Sequence, residues 1–282
     1  MLKVTTLIVS SIAKLCRGRW PGLIAVAPIA AVFIAGGCAR SPGNASNLGP
    51  SLLITVDYAG QPNIQIGYSY FVVIRDADDQ QGKQGPIPVT ASPYGGNGFA
   101  TALQPETTFG AGFTDFAVYN VSLGGIYGCQ LYHVGGGISG RTSSAGSFVA
   151  EGPPVNFVQP GATGNPNQIQ FQIALSQILP KAGECDPNTP GSCPQAHFLQ
   201  VNIIATSDLP ANAQSNDPNF YTDAMGDQHL GSATFNSYLT VDTTSAATYS
   251  STGQLQEPDD DTFPRQNDPA YEMTGWQIQV LR

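Results

Sequence analysis

From Ser51 to the end of the chain, hydrophobic and polar residues alternate in short runs with a period of two. Ile64, Ile66, Tyr68, Tyr70, Val72 and Ile74 alternate with Gln65, Gly67, Ser69, Phe71 and Val73, which predicts a strand apolar on one face and partly apolar on the other. Ile169, Phe171, Ile173 and Leu175 alternate with Gln168, Gln170, Gln172 and Ala174, a cleaner half-buried strand. The pattern recurs at Leu199, Val201, Ile203 and Ala205, at Phe235, Leu239 and Val241, and at Trp276, Ile278 and Val280. Weaker strands are predicted from Leu52 to Asp57, Phe113 to Asn120, Gly128 to Val134 and Pro154 to Val158.

No segment of ten or more residues shows helical periodicity with caps, although Ala174 to Leu179 allows one turn before Pro180. Many strands separated by Gly, Pro and Asn clusters predict an all-β fold. Its form is a single antiparallel β-sandwich, jelly-roll or immunoglobulin-like, with long loops near 82–109, 207–231 and 250–270. Long loops on a rigid sandwich are where binding tends to sit.

The N-terminus follows a different pattern. Lys3, Lys14, Arg17 and Arg19 precede an apolar run from Pro21 to Ile34, which is shorter than the roughly 20 residues of a bilayer span. Ala35, Gly36, Gly37 and Cys38 follow, and small residues suit a signal peptidase pocket. This Ala35-Gly36-Gly37-Cys38 sequence resembles the lipobox of bacterial lipoproteins. The resemblance implies removal of residues 1–37 and a diacylglycerol on the Cys38 thiol, hence a lipid-anchored protein of the cell envelope. Ala35 stands where Leu is commonest, and a conventional secretory signal or an uncleaved anchor shares the same charge, apolar run and small residues. Ala39 takes the place of the Asp that retains many Gram-negative lipoproteins in the inner membrane, so the resemblance favours the outer membrane or cell surface. Residues 38–50, rich in small and turn residues, read as a flexible tether before a domain at 51–282.

Cleavage changes the charge. It removes four of the 11 basic residues and none of the 20 acidic ones, which leaves seven against 20 and a formal charge of −13. Such a surface excludes nucleic acid as a partner and suits neutral glycans, cations or basic proteins.

Cysteine usage fits export. Cys185 and Cys193 bracket a turn-rich loop, Asp186 to Ser192, and are expected to form a disulfide in an oxidising compartment. Cys129 lies in a strand-like stretch and reads as a small buried hydrophobe rather than a nucleophile.

Signals for catalysis are sparse. Gly135 to Gly140 matches GxGxxG literally, but no helical pattern or lysine follows, so a hairpin loop is expected. Ser144 is preceded by Thr142 instead of the Gly of a nucleophile elbow. His133, His197 and His229 are far apart in sequence and read as ordinary histidines. Asp76, Asp78 and Asp79 end a predicted strand and could gather oxygens around Ca²⁺, although Gln81 occupies the EF-hand glycine position. A solvated acidic turn is the competing reading, and it applies more strongly to Asp259, Asp260 and Asp261. Calcium is the one cofactor this pattern offers.

A second resemblance concerns strand order. The stretch from Tyr70 to Asp79 is similar to the strand ending in an acidic turn of DOMON-like and family-nine carbohydrate-binding modules. Ile169 to Leu179 is similar to their strand leading into a one-turn helix, and Leu199 to Ala205 to the next core strand. The resemblance implies a jelly-roll-like sandwich that binds sugars or, in some members, haem. Met225 and His229, four apart, match the Met/His haem ligation of some DOMON-like proteins, but Asp223, Gly226 and Asp227 around them predict an irregular loop. A sugar site would need exposed aromatic platforms, for which Tyr68, Tyr70, Tyr238 and Trp276 are the candidates; most such residues in a sandwich are core.

Three functions fit these features. The first is a non-enzymatic lipoprotein whose sandwich binds a ligand, with a glycan as the expected one. The second is a structural or assembly lipoprotein that contacts another envelope protein, and the third a hydrolase built on paired carboxylates.

Overall fold

In β1 (Ser51–Tyr58) the side chains of Leu52, Ile54, Val56 and Tyr58 are buried while Leu53, Thr55 and Asp57 are partly exposed, as a strand with one wet face requires. The computed structural model describes residues 49–63, 65, 67–76, 85–86, 113–125, 128–134, 148–162, 164–179, 195–207, 221–225, 238–253 and 268–282. Along these residues follow β2 (Ser69–Asp76), β3 (Asp115–Tyr119), β4 (Cys129–Val134), β5 (Phe148–Gly152), β6 (Asn156–Val158) and β7 (Gln168–Ala174). The one-turn helix α1 (Leu175–Ile178) leads on to β8 (Phe198–Thr206), β9 (Thr222–Ala224), β10 (Leu239–Asp242), β11 (Ala247–Ser250) and β12 (Met273–Leu281).

The strands form two antiparallel sheets packed as a sandwich. One has five strands in the order β11-β12-β1-β7-β6; the other has seven, β10-β8-β2-β3-β4-β5, with β9 beside β8. The chain passes between sheets at both flanks, from edge strand β5 to edge strand β6 and from β10 to β11. Short connections therefore tie the open edges of one sheet to those of the other.

The shared core takes Leu52, Ile54, Phe171 and Ile278 from the five-stranded sheet and Val72, Ile74, Leu131 and Val201 from the other. A second cluster of Phe71, Val73, Phe116, Val118 and Ile204 covers the opposite face of the seven-stranded sheet. That explains the run of apolar residues in β2, which is buried on both sides. Over this second face, Asn202 Nδ2 donates to the Pro86 carbonyl at 3.0 Å. A Cβ at Gly85 would sit 2.4 Å from the Tyr238 ring, so this close approach requires glycine.

The disulfide expectation is corrected. No disulfide bond is found among the described residues, and Cys185 and Cys193 lie outside them. A turn-rich spacer brings two cysteines near in sequence but does not fix the Cα separation and Cβ directions that a bridge needs. Cys129 is a fully buried thiol in the core, the small hydrophobe its strand predicts. No helix among the described residues is long and apolar enough to cross a membrane.

Candidate functional site

The two ends of the sandwich carry different chemistry. Tyr58 closes β1 and Tyr70 opens β2, and their rings meet edge to face with centroids 5.2 Å apart. These residues mark one end. Ser51, Ala174 and Leu281, which share a register row, mark the other, together with Asp76 at the far end of β2.

At the first end lies a group of tyrosines. Gly67, at φ +99°, reverses the chain into β2, and Tyr68 follows it. The Tyr68 backbone is held by Asn120, whose Nδ2 donates to the Tyr68 carbonyl at 2.8 Å and to Ser69 Oγ at 2.7 Å. Asn120 Oδ1 accepts the backbone N–H groups of Ser122 and Leu123, so one amide side chain ties the β3–β4 turn to the start of β2. The Tyr68 ring stacks on Tyr271, with centroids 4.8 Å apart and planes within 8°. Tyr221 adjoins the other partner in this stack, its centroid 5.4 Å from that of Tyr271.

Hydroxyl groups lock the assembly. Tyr68 donates to Asp268 Oδ2 at 2.8 Å, Tyr271 to the Gly67 carbonyl at 2.6 Å and Tyr70 to the Ala270 carbonyl at 3.0 Å. The Asp268 hydrogen bond, then burial and the charges of Asp268 and Tyr221, push the Tyr68 phenol above its ordinary value, so it stays a donor. Tyr70 is raised further, chiefly by burial, and Tyr119 is pushed up to about 12 by burial and the neighbouring Cys129. Tyr70, Tyr58 and Tyr119 are buried backing, whereas Tyr68, Tyr221 and Asp268 remain partly exposed. Partly exposed aromatic rings beside a carboxylate offer stacking and hydroxyl recognition in one place.

At the second end is a buried polar pair. Asp115 and His133 face each other across β3 and β4, with Asp115 Oδ1 2.6 Å from His133 Nδ1. Asp76, also fully buried, shares their interior face on β2, and its backbone N–H donates to Thr114 Oγ1 at 2.9 Å. Asp76 therefore ends a core strand rather than sitting in a solvated turn; Asp78 and Asp79 lie outside the described residues. Among the described residues no group of three or more His, Cys, Asp or Glu side chains could hold a metal ion.

The remaining candidates separate. Trp276 is core, and Tyr238 is half-buried against Gly85. His197 is exposed, and Met225 is buried in the core beside β9. His229, Ser144, Asp259 to Asp261 and the Gly135 to Gly140 run lie outside the described residues. Sequence reading singled out Tyr68 but passed over Tyr221, Asp268 and Tyr271. The period-two strand pattern marks Tyr68, whereas Tyr271 is about 200 residues away in a turn that carries no periodicity.

Comparison of the chain with family models, curated proteins and solved structures finds no match.

Proposed function

We propose that this chain is a lipid-anchored protein of the outer membrane or cell surface, joined to lipid through Cys38, whose sandwich binds a glycan at the tyrosine end. The observation that carries the reading is the Tyr68–Tyr271–Tyr221 group with Asp268 beside it, two of its rings partly exposed on a rigid support. A pyranose stacks its C–H face on a tyrosine ring while its hydroxyls donate to a carboxylate.

Position supports the same reading. The chain enters β1 at Ser51, where the Pro50 carbonyl accepts the Leu175 N–H, at the end opposite the tyrosines. A domain hung from Cys38 by residues 39–50, up to roughly 40 Å of extended chain, is attached at the end opposite the tyrosines and leaves them clear of the tether. Among the described residues the exposed large hydrophobics, Val121 and Val149, lie on separate elements, whereas a protein-docking patch would need several hundred Å² of contiguous apolar surface.

The test is the full chain in detergent applied to an array of neutral oligosaccharides, alongside Tyr68→Ala. Binding that falls about tenfold in the variant, the loss of about 1.4 kcal/mol expected for one ring contact, supports the reading. Absence of binding across the array refutes it.

A further inference from the structure

We infer that the outer face of the five-stranded sheet is a second contact surface for the same glycan, taking an extended uncharged stretch of the polymer while the tyrosine end holds a ring. The inference rests on the glycan reading above and adds a surface that the tyrosines do not supply. Pairing registers place Ser250, Gln277, Thr55, Gln170 and Val158 in one row across all five strands. The next row adds Thr248, Gln279, Gln172 and Asn156 around Leu53.

The amides are already aligned. Gln168 Nε2 donates to Asp57 Oδ1 at 2.8 Å, Gln170 Nε2 to Thr55 Oγ1 at 3.0 Å and Gln172 Nε2 to Ser51 Oγ at 3.1 Å, at successive positions along β7. On β12, Gln279 Nε2 donates to Gln277 Oε1 at 2.7 Å. A primary amide carries two donors and an acceptor oxygen, so the partly exposed Gln168, Gln170, Gln277 and Gln279 keep capacity for a hydroxyl ligand, while the buried Gln172 backs them. Holding the side chain in place beforehand lowers the ordering cost of binding.

Charge and area select the occupant. In a chain with 20 acidic residues, Asp57 is the one charged side chain among the outward positions of this sheet, and Gln168 hydrogen-bonds it. The face therefore matches neutral hydroxyls rather than a basic or an anionic partner. With strands about 4.8 Å apart and about 3.3 Å per residue, it covers at most on the order of 500 Å². A stable protein interface buries about 800 Å² per partner, so this face is too small for one and wide enough for a polymer chain.

The surface continues to the tyrosine end. Asn167, beside Gln168, donates through Nδ2 to the Ala59 carbonyl at 3.2 Å, and the Gly60 N–H donates to the Pro269 carbonyl at 2.7 Å, next to Asp268. A polymer long enough to leave Tyr68 thus meets the glutamine rows.

The test compares neutral oligosaccharides of two and of eight units on the array, using the full chain in detergent as wild type, as Tyr68→Ala, and as Gln170→Leu with Gln277→Leu. Melting temperature confirms that each variant folds, and a Gln170→Asn, Gln277→Asn protein substitutes for a double leucine variant that does not. The expected result is that the glutamine variant binds the two-unit probe like wild type and loses at least fivefold on the eight-unit probe. Equal binding of both lengths by wild type, or an unchanged length dependence in the glutamine variant, overturns the inference while leaving the tyrosine site intact. Failure of wild type to bind either length removes the glycan reading itself.

Discussion

His133 Nδ1 stands 2.6 Å from Asp115 Oδ1, and the two residues, 1% and 0% exposed, occupy directly opposed positions on β3 and β4. The imidazole and the carboxylate satisfy each other in a buried site, and the worth of this hydrogen bond depends on both partners being present. Removing one leaves the other buried. His133→Leu or Asp115→Leu should each destabilise the domain by about 3–5 kcal/mol, and the double variant by clearly less than the two added together. Urea unfolding of the three proteins checks this, and additive losses would show that the pair is not a unit.

The tyrosine end predicts alkaline sensitivity. Burial raises the Tyr119 phenol from its ordinary 10.0 to about 12, and it raises Tyr70 as well. A group whose folded pKa is raised contributes stability that is complete below the unfolded value and lost as pH climbs through the folded one. Urea midpoints should therefore hold up to about pH 10 and fall between about pH 10 and 12. Tyr119→Phe should flatten part of that fall. An identical alkaline slope in the variant would remove Tyr119 from the account.

The β3–β4 turn has no room for a side chain at Gly124. A Cβ there would lie 2.2 Å from the Gly128 carbonyl and 2.4 Å from the Asn120 carbonyl oxygen, both backbone groups. Gly124→Ala should destabilise by about 1–3 kcal/mol, because the turn must open. Asn120 holds the Tyr68 backbone from the same turn, so the glycan binding proposed for the tyrosine end should weaken in parallel. A variant as stable as wild type in thermal unfolding contradicts the packing argument.

Strand periodicity made the sandwich legible. The run from Gln168 to Leu175 became β7 and entered the one-turn helix α1, which ends at an extended Leu179, and the Leu199 and Trp276 patterns became β8 and β12. The strands that escaped, β5, β9 and β11, run three to five residues. With neighbours on one side at most, such strands need no sustained alternation: Ala247-Thr248-Tyr249-Ser250 pairs only with β12. The predicted strand from Ile64 starts later, at Ser69, because Gly67 adopts positive φ and Asn63 Oδ1 caps the Gln65 N–H in a turn. Site residues were harder to read. Gln168, Gln170 and Gln172 look like any solvent-facing row until the register sets them beside Gln277 and Gln279. Asp76 looked like the start of an acidic turn because nothing local announces that its side chain shares a buried face with Asp115.

The anchor is tested separately from the domain. Labelled palmitate should enter the wild-type chain and not Cys38→Ser, and the mature N-terminus should begin at a modified Cys38. A Cys38→Ser protein that partitions into detergent like wild type would refute the lipid anchor and leave the sandwich reading untouched.

The most direct test of the account is the response of individual tyrosine rings to a sugar. With ¹³C-labelled tyrosine in the full chain, ring resonances are followed during titration with neutral oligosaccharides of eight units, with Tyr68→Phe and Tyr221→Phe supplying the assignments. The account predicts shifts at Tyr68 and Tyr221 that saturate together, with buried Tyr58 and Tyr119 unmoved. Titration that leaves Tyr68 and Tyr221 in place, whether or not other resonances move, would contradict it.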